Sequence, residues 1–266
     1  ARATTAGFIH ARSPSEIVFT RGTTESINLV ARAWGGLFLK QDDEIILSIL
    51  EHHSNIVPWQ LIAAEKKCHI KYLDCDENGV LKIDQLGKLI TRKTKLIAIS
   101  HVSNALGTLA PIRTIIQKAH AAGVLVFLYG AQSAPHLGLD VQYLDCDFLA
   151  FSGHKACGPT GIGVLYAREK MLLQMPPFLG GGSMIREVHK TTSTWNDVPW
   201  KFEAGTPPIA EAIGLAAALT YLTQQGLSKI HAHEQRLLKI TLNEMRKIPG
   251  VTIFGPADAQ NQSSII

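Results

Sequence analysis

The sequence has little cysteine, no long apolar run and no block of charge of one sign. Its four cysteines, Cys68, Cys75, Cys146 and Cys157, are too few and too irregularly spaced for a disulfide framework or a C-x-x-C metal site. They read as buried thiols, and no metal site is expected. The longest apolar runs, around Val124 to Leu128 and Ile213 to Leu219, fall well short of the roughly 18 residues that a membrane-crossing helix needs. Ala1 to Ala11 is mixed and polar, without the charged start, apolar stretch and small-residue cleavage site of a secretory leader, so the cytoplasm is the expected location. The 26 basic and 22 acidic residues nearly balance, and the formal +4 is spread along the chain. That pattern argues against nucleic acid or an anionic membrane as a partner. Neither an internal repeat nor a low-complexity segment is visible.

With 266 residues and 46% hydrophobic composition, the chain has material for one sizeable core or for a large domain with a small appendage. A disordered or fibrous protein is excluded. Short β-branched runs recur at Ser15 to Phe19, Glu44 to Ile49, His69 to Leu73, Leu96 to Ser100, Val124 to Tyr129, Phe148 to Phe151 and Ile162 to Tyr166. Most read as strands buried on both faces. Helical stretches lie between several of them: Asn55 to Lys67, Ile83 to Ile90 and Ile112 to Ala122. The alternation predicts an α/β fold, a mostly parallel central sheet flanked by helices, with ligands at the carboxyl ends of the strands. After Gly180 the chain turns Gly- and Thr-rich, then gives two long helical patterns, in the second of which Leu238, Leu242 and Met245 form one apolar stripe. A strand-like Val251 to Phe254 follows. We divide the chain into a large domain, residues 1–225, and the start of a small one, residues 226–266.

Two loops carry the first chemical signals. Arg21-Gly22-Thr23-Thr24-Glu25 follows a strand and opens the helical run Ser26 to Trp34, so free N–H groups and two hydroxyls stand where a phosphate is held well. Helix capping by Glu25 is the plainer alternative. Ser152-Gly153-His154-Lys155 ends a buried strand and leads into Gly158-Pro159-Thr160-Gly161. A lysine so placed can form a Schiff base with a carbonyl cofactor and then act as a base, or simply be a solvated loop lysine. Glu51-His52-His53-Ser54-Asn55, His101-Val102-Ser103-Asn104 and Gly130-Ala131-Gln132 also sit just after predicted strands. Five polar loops at one sheet edge mark a candidate site. His53 and Trp59 read as packing residues, and Gly161 and Gly163 as turn residues.

Together these words, with Glu51 to Gln60 (EHHSNIVPWQ), His101 to Thr108 (HVSNALGT), Phe151 to Tyr166 (FSGHKACGPTGIGVLY), Gly180 to Ile185 (GGGSMI) and Trp200 to Pro207 (WKFEAGTP), resemble the Suf-type cysteine desulfurases in order and spacing. These are class V aminotransferase-like enzymes of pyridoxal phosphate fold type I. The resemblance covers nearly the whole chain. It implies that Lys155 holds pyridoxal 5'-phosphate and that His52 stacks on its ring and moves protons. Asn104 and Gln132 would bond the ring oxygen or its neighbours, with Thr23, Thr24, Ser152 and His154 at the phosphate. Thr206 would reach the phosphate of the second subunit, implying a homodimer. The implied reaction takes L-cysteine to L-alanine and passes the sulfur on as a persulfide, to an acceptor protein of the Suf system, for iron–sulfur cluster assembly. Selenocysteine lyase is the neighbouring alternative.

The chain also departs from that family. Where the family has an aspartate paired with the pyridinium nitrogen, this sequence has Tyr129. A phenol of ordinary pKa near ~10 stays neutral at pH 7 and cannot supply the counter-charge. Losing such a pair in a desolvated site costs about 3 to 5 kcal/mol, or roughly two to four decades in rate if all of it is felt in the transition state. The family's nucleophilic cysteine and substrate-gripping arginine, from the C-terminal small domain, have no counterpart here, and the N-terminal segment that helps to close its site is missing. A truncated inactive copy, or a pseudoenzyme retained for dimerisation or partner binding, is therefore the competing expectation.

Overall fold

The structure, a computed structural model, describes residues 1–256 and 258–266. Its strands are β1 (Ile17–Thr20), β2 (Glu44–Ser48), β3 (His69–Leu73), β4 (Thr94–Ser100), β5 (Leu125–Tyr129), β6 (Phe148–Ser152) and β7 (Gly163–Ala167), with a separate hairpin of β8 (Ile185–Val188) and β9 (Ser193–Trp195). The first seven form one sheet in the order β1-β7-β6-β5-β4-β2-β3. Strands β3, β2, β4, β5 and β6 pair in parallel, and β7 runs antiparallel to both its neighbours. Parallel alignment brings the carboxyl ends of five strands to one edge, where ligands of such sheets bind.

Helices cover both faces. They are α1 (Arg2–Phe8), α2 (Thr23–Val30), α3 (Gly36–Phe38), α4 (Val57–Lys66), α5 (Leu86–Leu89), α6 (Ile112–Ala121), α7 (Val141–Leu144), α8 (Glu169–Gln174), α9 (Ile209–Gln225) and α10 (Leu227–Met245). The two-residue period of the strands divides the core. Ile97, Ile99, Val126, Leu128, Leu149 and Phe151 pack on the side of α6 and α9. Leu96, Ala98, Phe127, Tyr129, Phe148 and Ala150 pack on the other side, with Trp34 and Trp59. Helix α6 docks because Ile112, Ile115, Ile116 and Ala119 repeat at the helical period and are all buried. Each of those isoleucines contributes about 1.5 to 3 kcal/mol of burial. On the opposite face, Tyr129 is held in register by β4 and β6 through its pairings with Ser100 and Ala150.

Three expectations need correction. Val251 to Phe254 forms no strand, and Val251 and Phe254 are exposed, because among the described residues no strand lies beside them to complete a ladder. Strand β3 is an edge strand with Leu73 alone fully buried, so His69 to Leu73 is only partly covered, with Leu73 packed on one face of the sheet and Ile70 on the other. Of the cysteines, Cys146 is buried, Cys68 and Cys75 are half-buried, and Cys157 is exposed. Cys157 takes a left-handed φ of 57° in the turn that returns the Gly158 N–H to the Gly153 carbonyl at 2.9 Å, which points its thiol outward. The predicted apolar stripe of α10 is present in part: Leu238 and Leu242 are buried against Ala259, and Met245 is half-buried.

Gly163 is not the turn residue its sequence suggested but the first residue of β7, paired with Thr20 and Ser152. A Cβ there would stand 2.4 Å from Cα of Gly22, so β7 and the start of α2 touch backbone to backbone. Gly163→Ala is expected to destabilise the fold by at least about 2 kcal/mol, since neither backbone can yield easily. Gly7→Ala in α1, where the added methyl meets nothing within 4 Å, is expected to stabilise it by about 0.5 to 1 kcal/mol. Urea unfolding of the two variants checks the opposite signs.

Candidate active site

The helix α2 begins at the groove that Gly22 and Gly163 bring together. Its first N–H, on Thr23, donates to Oγ of Ser152 at 2.9 Å, and the Thr23 and Ser152 hydroxyls lie 2.7 Å apart. The carboxylate of Glu25 accepts the N–H of Arg21, the capping bond expected of its position. Capping and ligand binding are thus not alternatives here: the cap fixes the loop while the hydroxyls face a groove. That groove, about 680 Å³, is lined by Gly22, Thr23, Thr24, Ser152, His154 and the apolar Phe178 and Leu179, among others. Thr206 is exposed and lines an adjoining cavity of about 100 Å³ that shares Arg21, Glu25, Phe178 and Leu179 with the groove.

Lys155 ends a single 3-10 turn, Gly153–Lys155, at the close of β6. The turn is pinned by Gly153 N–H to the Ile162 carbonyl at 2.9 Å, and a Cβ on Gly153 would meet Ile162 Cγ2 at 2.6 Å. Partial burial lowers the pKa of the Lys155 ammonium, so more of it is free amine than in an ordinary lysine. The pKa of His52 is also lowered, first by burial and then by the positive charge of Lys155. The two side chains therefore feel one another, and His52 is neutral near pH 7.

The ring of His52 stacks on Tyr129 at 14° and a centroid separation of 5.8 Å. Its Nδ1 accepts the Ser54 N–H at 3.1 Å, so its proton lies on Nε2. The Tyr129 phenol, 3% exposed, has its pKa pushed up to about 12, chiefly by burial. Asn104 and Gln132 are half-buried in the loops after β4 and β5, and neither lines the groove. His53 is exposed, not a packing residue as its sequence suggested, whereas Trp59 is fully buried, with its indole N–H on Asn55 at 3.0 Å.

Two further residues had no assigned role. Glu51 is buried, and its carboxylate accepts from the Ser48 hydroxyl, from Ser100 N–H at 2.9 Å and Oγ at 2.6 Å, and from Asn55 Nδ2 at 2.7 Å. Burial raises its pKa against the pull of these donors. It joins the ends of β2 and β4 to the loop that carries His52. An acid three residues after a buried strand, four residues before an asparagine, is the signal that would have found it. His101 is the second, with a buried Nδ1 that has no hydrogen-bond partner among the described residues.

The sequence profile of the aminotransferase class-V family matches residues 1–266. This chain belongs to the class-V aminotransferase family. A class-V relative, a probable cysteine desulfurase of Halalkalibacterium halodurans, is 50% identical over 249 residues, 94% of this chain and 61% of the relative. Among solved class-V structures, the cysteine desulfurase CsdA of Escherichia coli superposes with a TM-score of 0.92 at 42% identity, covering 94% of this chain and 62% of that one. C-DES, solved with glycine covalently linked to its PLP cofactor, gives a TM-score of 0.88 at 27% identity over 98% of this chain and 69% of that one. The chain spans 61% to 64% of the length of the first two curated relatives.

Burial pushes the pKa of His101 down to about 4 from the usual 6.5, so the folded state keeps it neutral where the unfolded chain would protonate it. Its contribution is complete above pH 6.5 and is lost as pH falls toward 4, on the order of 2 to 3 kcal/mol. Urea unfolding between pH 4 and 7 should show this loss, and His101→Gln should flatten that part of the slope; an unchanged slope would refute the assignment.

Proposed function

We propose that this chain is the cofactor-binding part of a cysteine desulfurase. In this reading the enzyme takes L-cysteine to L-alanine while a cysteine thiolate, which none of the four cysteines here supplies, attacks the substrate sulfur and passes it on as a persulfide for iron–sulfur cluster assembly. Its residues 1–225 form the large domain and residues 226–266 open the small one. The observation that carries the reading is the Lys155 turn: a half-buried amine of lowered pKa, rigidly held at the end of β6, one residue from a wall of the hydroxyl-lined groove.

The residues present fit pyridoxal phosphate at two of its ends. The groove of Thr23, Thr24, Ser152 and His154, at the start of α2, suits a phosphate, because hydroxyls and helix N–H groups donate to anionic oxygens. Lys155 suits the aldehyde. When bound, the cofactor would supply a carbonyl for that amine and a conjugated ring to take up electrons from a broken C–H bond. At the ring itself the fit fails, since Tyr129 stands where a carboxylate is expected and is stacked on His52.

Lys155, unprotonated more readily than an ordinary lysine, takes the proton from Cα of the substrate. His52, neutral and with its proton fixed on Nε2, donates from that atom toward the site. Asn104 and Gln132 orient polar groups of the ligand, and Thr206, exposed and outside the groove, serves a second copy of the chain in a homodimer. A sulfur-acceptor protein and a cytoplasmic setting belong to the same reading. Among the described residues no helix is long and apolar enough to cross a membrane. The Tyr129–His52 stack favours a second reading, an inactive copy or a pseudoenzyme that keeps the fold and a partner surface without turnover.

Exchange of the Cα proton of L-cysteine in D2O, followed by NMR with pyridoxal phosphate present, separates the two. The first reading expects slow exchange in the native chain, roughly 10² to 10⁴ faster exchange in Tyr129→Asp, and none above solution background once Lys155→Ala is added to either. Equal exchange with and without Lys155 would refute it.

A further inference from the structure

The fate of the ring half of the site turns on three side chains that hold one another. Ser54 Oγ lies 2.7 Å from Nδ1 of His52, and the Ser54 hydroxyl also hydrogen-bonds the phenol of Tyr129. The Ser54 N–H donates to Nδ1, so that nitrogen is an acceptor, and the Ser54 hydroxyl ties the imidazole to the phenol. The stacking of the two rings closes the link.

The spacing decides what else fits. Carbon surfaces meet at about 3.5 to 4.0 Å, so a third ring slipped between two others needs about 7 Å between the outer pair. Tyr129 and His52 are 5.8 Å apart between centroids. Nor is the phenol loosely placed: it is 3% exposed, on the same sheet face as Phe127, Phe148 and Ala150. The groove beside Thr23 and Ser152, by contrast, is open.

We propose that Tyr129 is a built-in occupant of the ring subsite, latched by Ser54 and His52, which excludes the pyridine ring by filling its place while leaving the phosphate groove free. The proposal rests on the reading of this site as one for pyridoxal phosphate. It differs from a missing counter-charge in one respect: space alone, without a carboxylate, restores binding.

The experiment compares the native chain with Tyr129→Ala, Tyr129→Asp and Ser54→Ala. Pyridoxal phosphate is titrated and read by equilibrium dialysis and by the absorbance of its lysine adduct, and inorganic phosphate by calorimetry. Undoing a hydrogen bond and a ring stack predicts roughly 10- to 100-fold tighter pyridoxal phosphate binding in Tyr129→Ala than in the native chain. Ser54→Ala should gain part of that, and phosphate affinity should stay the same in all four proteins. Rescue by Tyr129→Asp but not by Tyr129→Ala would overturn the latch in favour of charge, with the cofactor reading intact. Native binding as tight as that of Tyr129→Ala would overturn it too. Failure of every protein to bind either probe would sink the cofactor reading and the latch with it. If Tyr129→Ala does not fold, Ser54→Ala, which leaves both rings in place, decides: no gain over the native chain refutes the latch.

Discussion

The buried carboxylate of Glu51 is the tie on which the arrangement at the sheet edge depends. Parallel strands deliver their ends to one edge, but they do not fix the loops that follow. Glu51 does so by taking donors from three places at once: Ser48 at the end of β2, Ser100 at the end of β4, and Asn55 just before α4. A buried charge without donors would cost several kcal/mol, so the loop has one low-energy arrangement, the one in which all four bonds are made. His52 is the next residue. Its ring is therefore set by a network that lies beneath the site and does not belong to it.

A different constraint sets the groove beside it. The approach of Gly22 to Gly163 lets the start of α2 sit against β7, and only there can the Thr23 N–H reach Ser152 across the end of β6. One half of the site thus rests on a backbone contact between glycines and the other on a carboxylate network. The two halves share only the strand ends. That separation explains how the groove keeps its geometry although Tyr129 alters the neighbouring ring position.

Much of this was legible in the sequence, and for a physical reason. Buried parallel strands need β-branched residues on both faces, so runs such as Ile45 to Leu47 and Val126 to Leu128 declare themselves, and in a parallel sheet the polar words after them must converge. Ser152, at the end of β6, lines the groove, and Lys155 ends the turn that follows it. What pattern could not supply was anything requiring a partner distant in sequence. Val251 to Phe254 has the residues of a strand and no neighbour to pair with. Gly163 looked like a turn residue because nothing local points to Gly22. Glu51 stood in a quoted motif without a role, since its donors come from Ser48, Asn55 and Ser100 together. Ser54 was likewise silent until Tyr129, 75 positions away along the chain, was seen to reach it.

The identity of residue 129 also has a genetic side. Aspartate and tyrosine codons differ only in their first base, so a carboxylate at the end of β5 and a phenol stacked on His52 are separated by a single nucleotide change. The ties that set the surrounding loops, the Glu51 bonds and the Gly22–Gly163 contact, are made by other groups, but Glu51 lies near enough for its charge to raise the Tyr129 pKa. A lineage carrying this chain therefore sits one mutation from a carboxylate at the same position, and that carboxylate, buried beside Glu51, calls for a cation facing it.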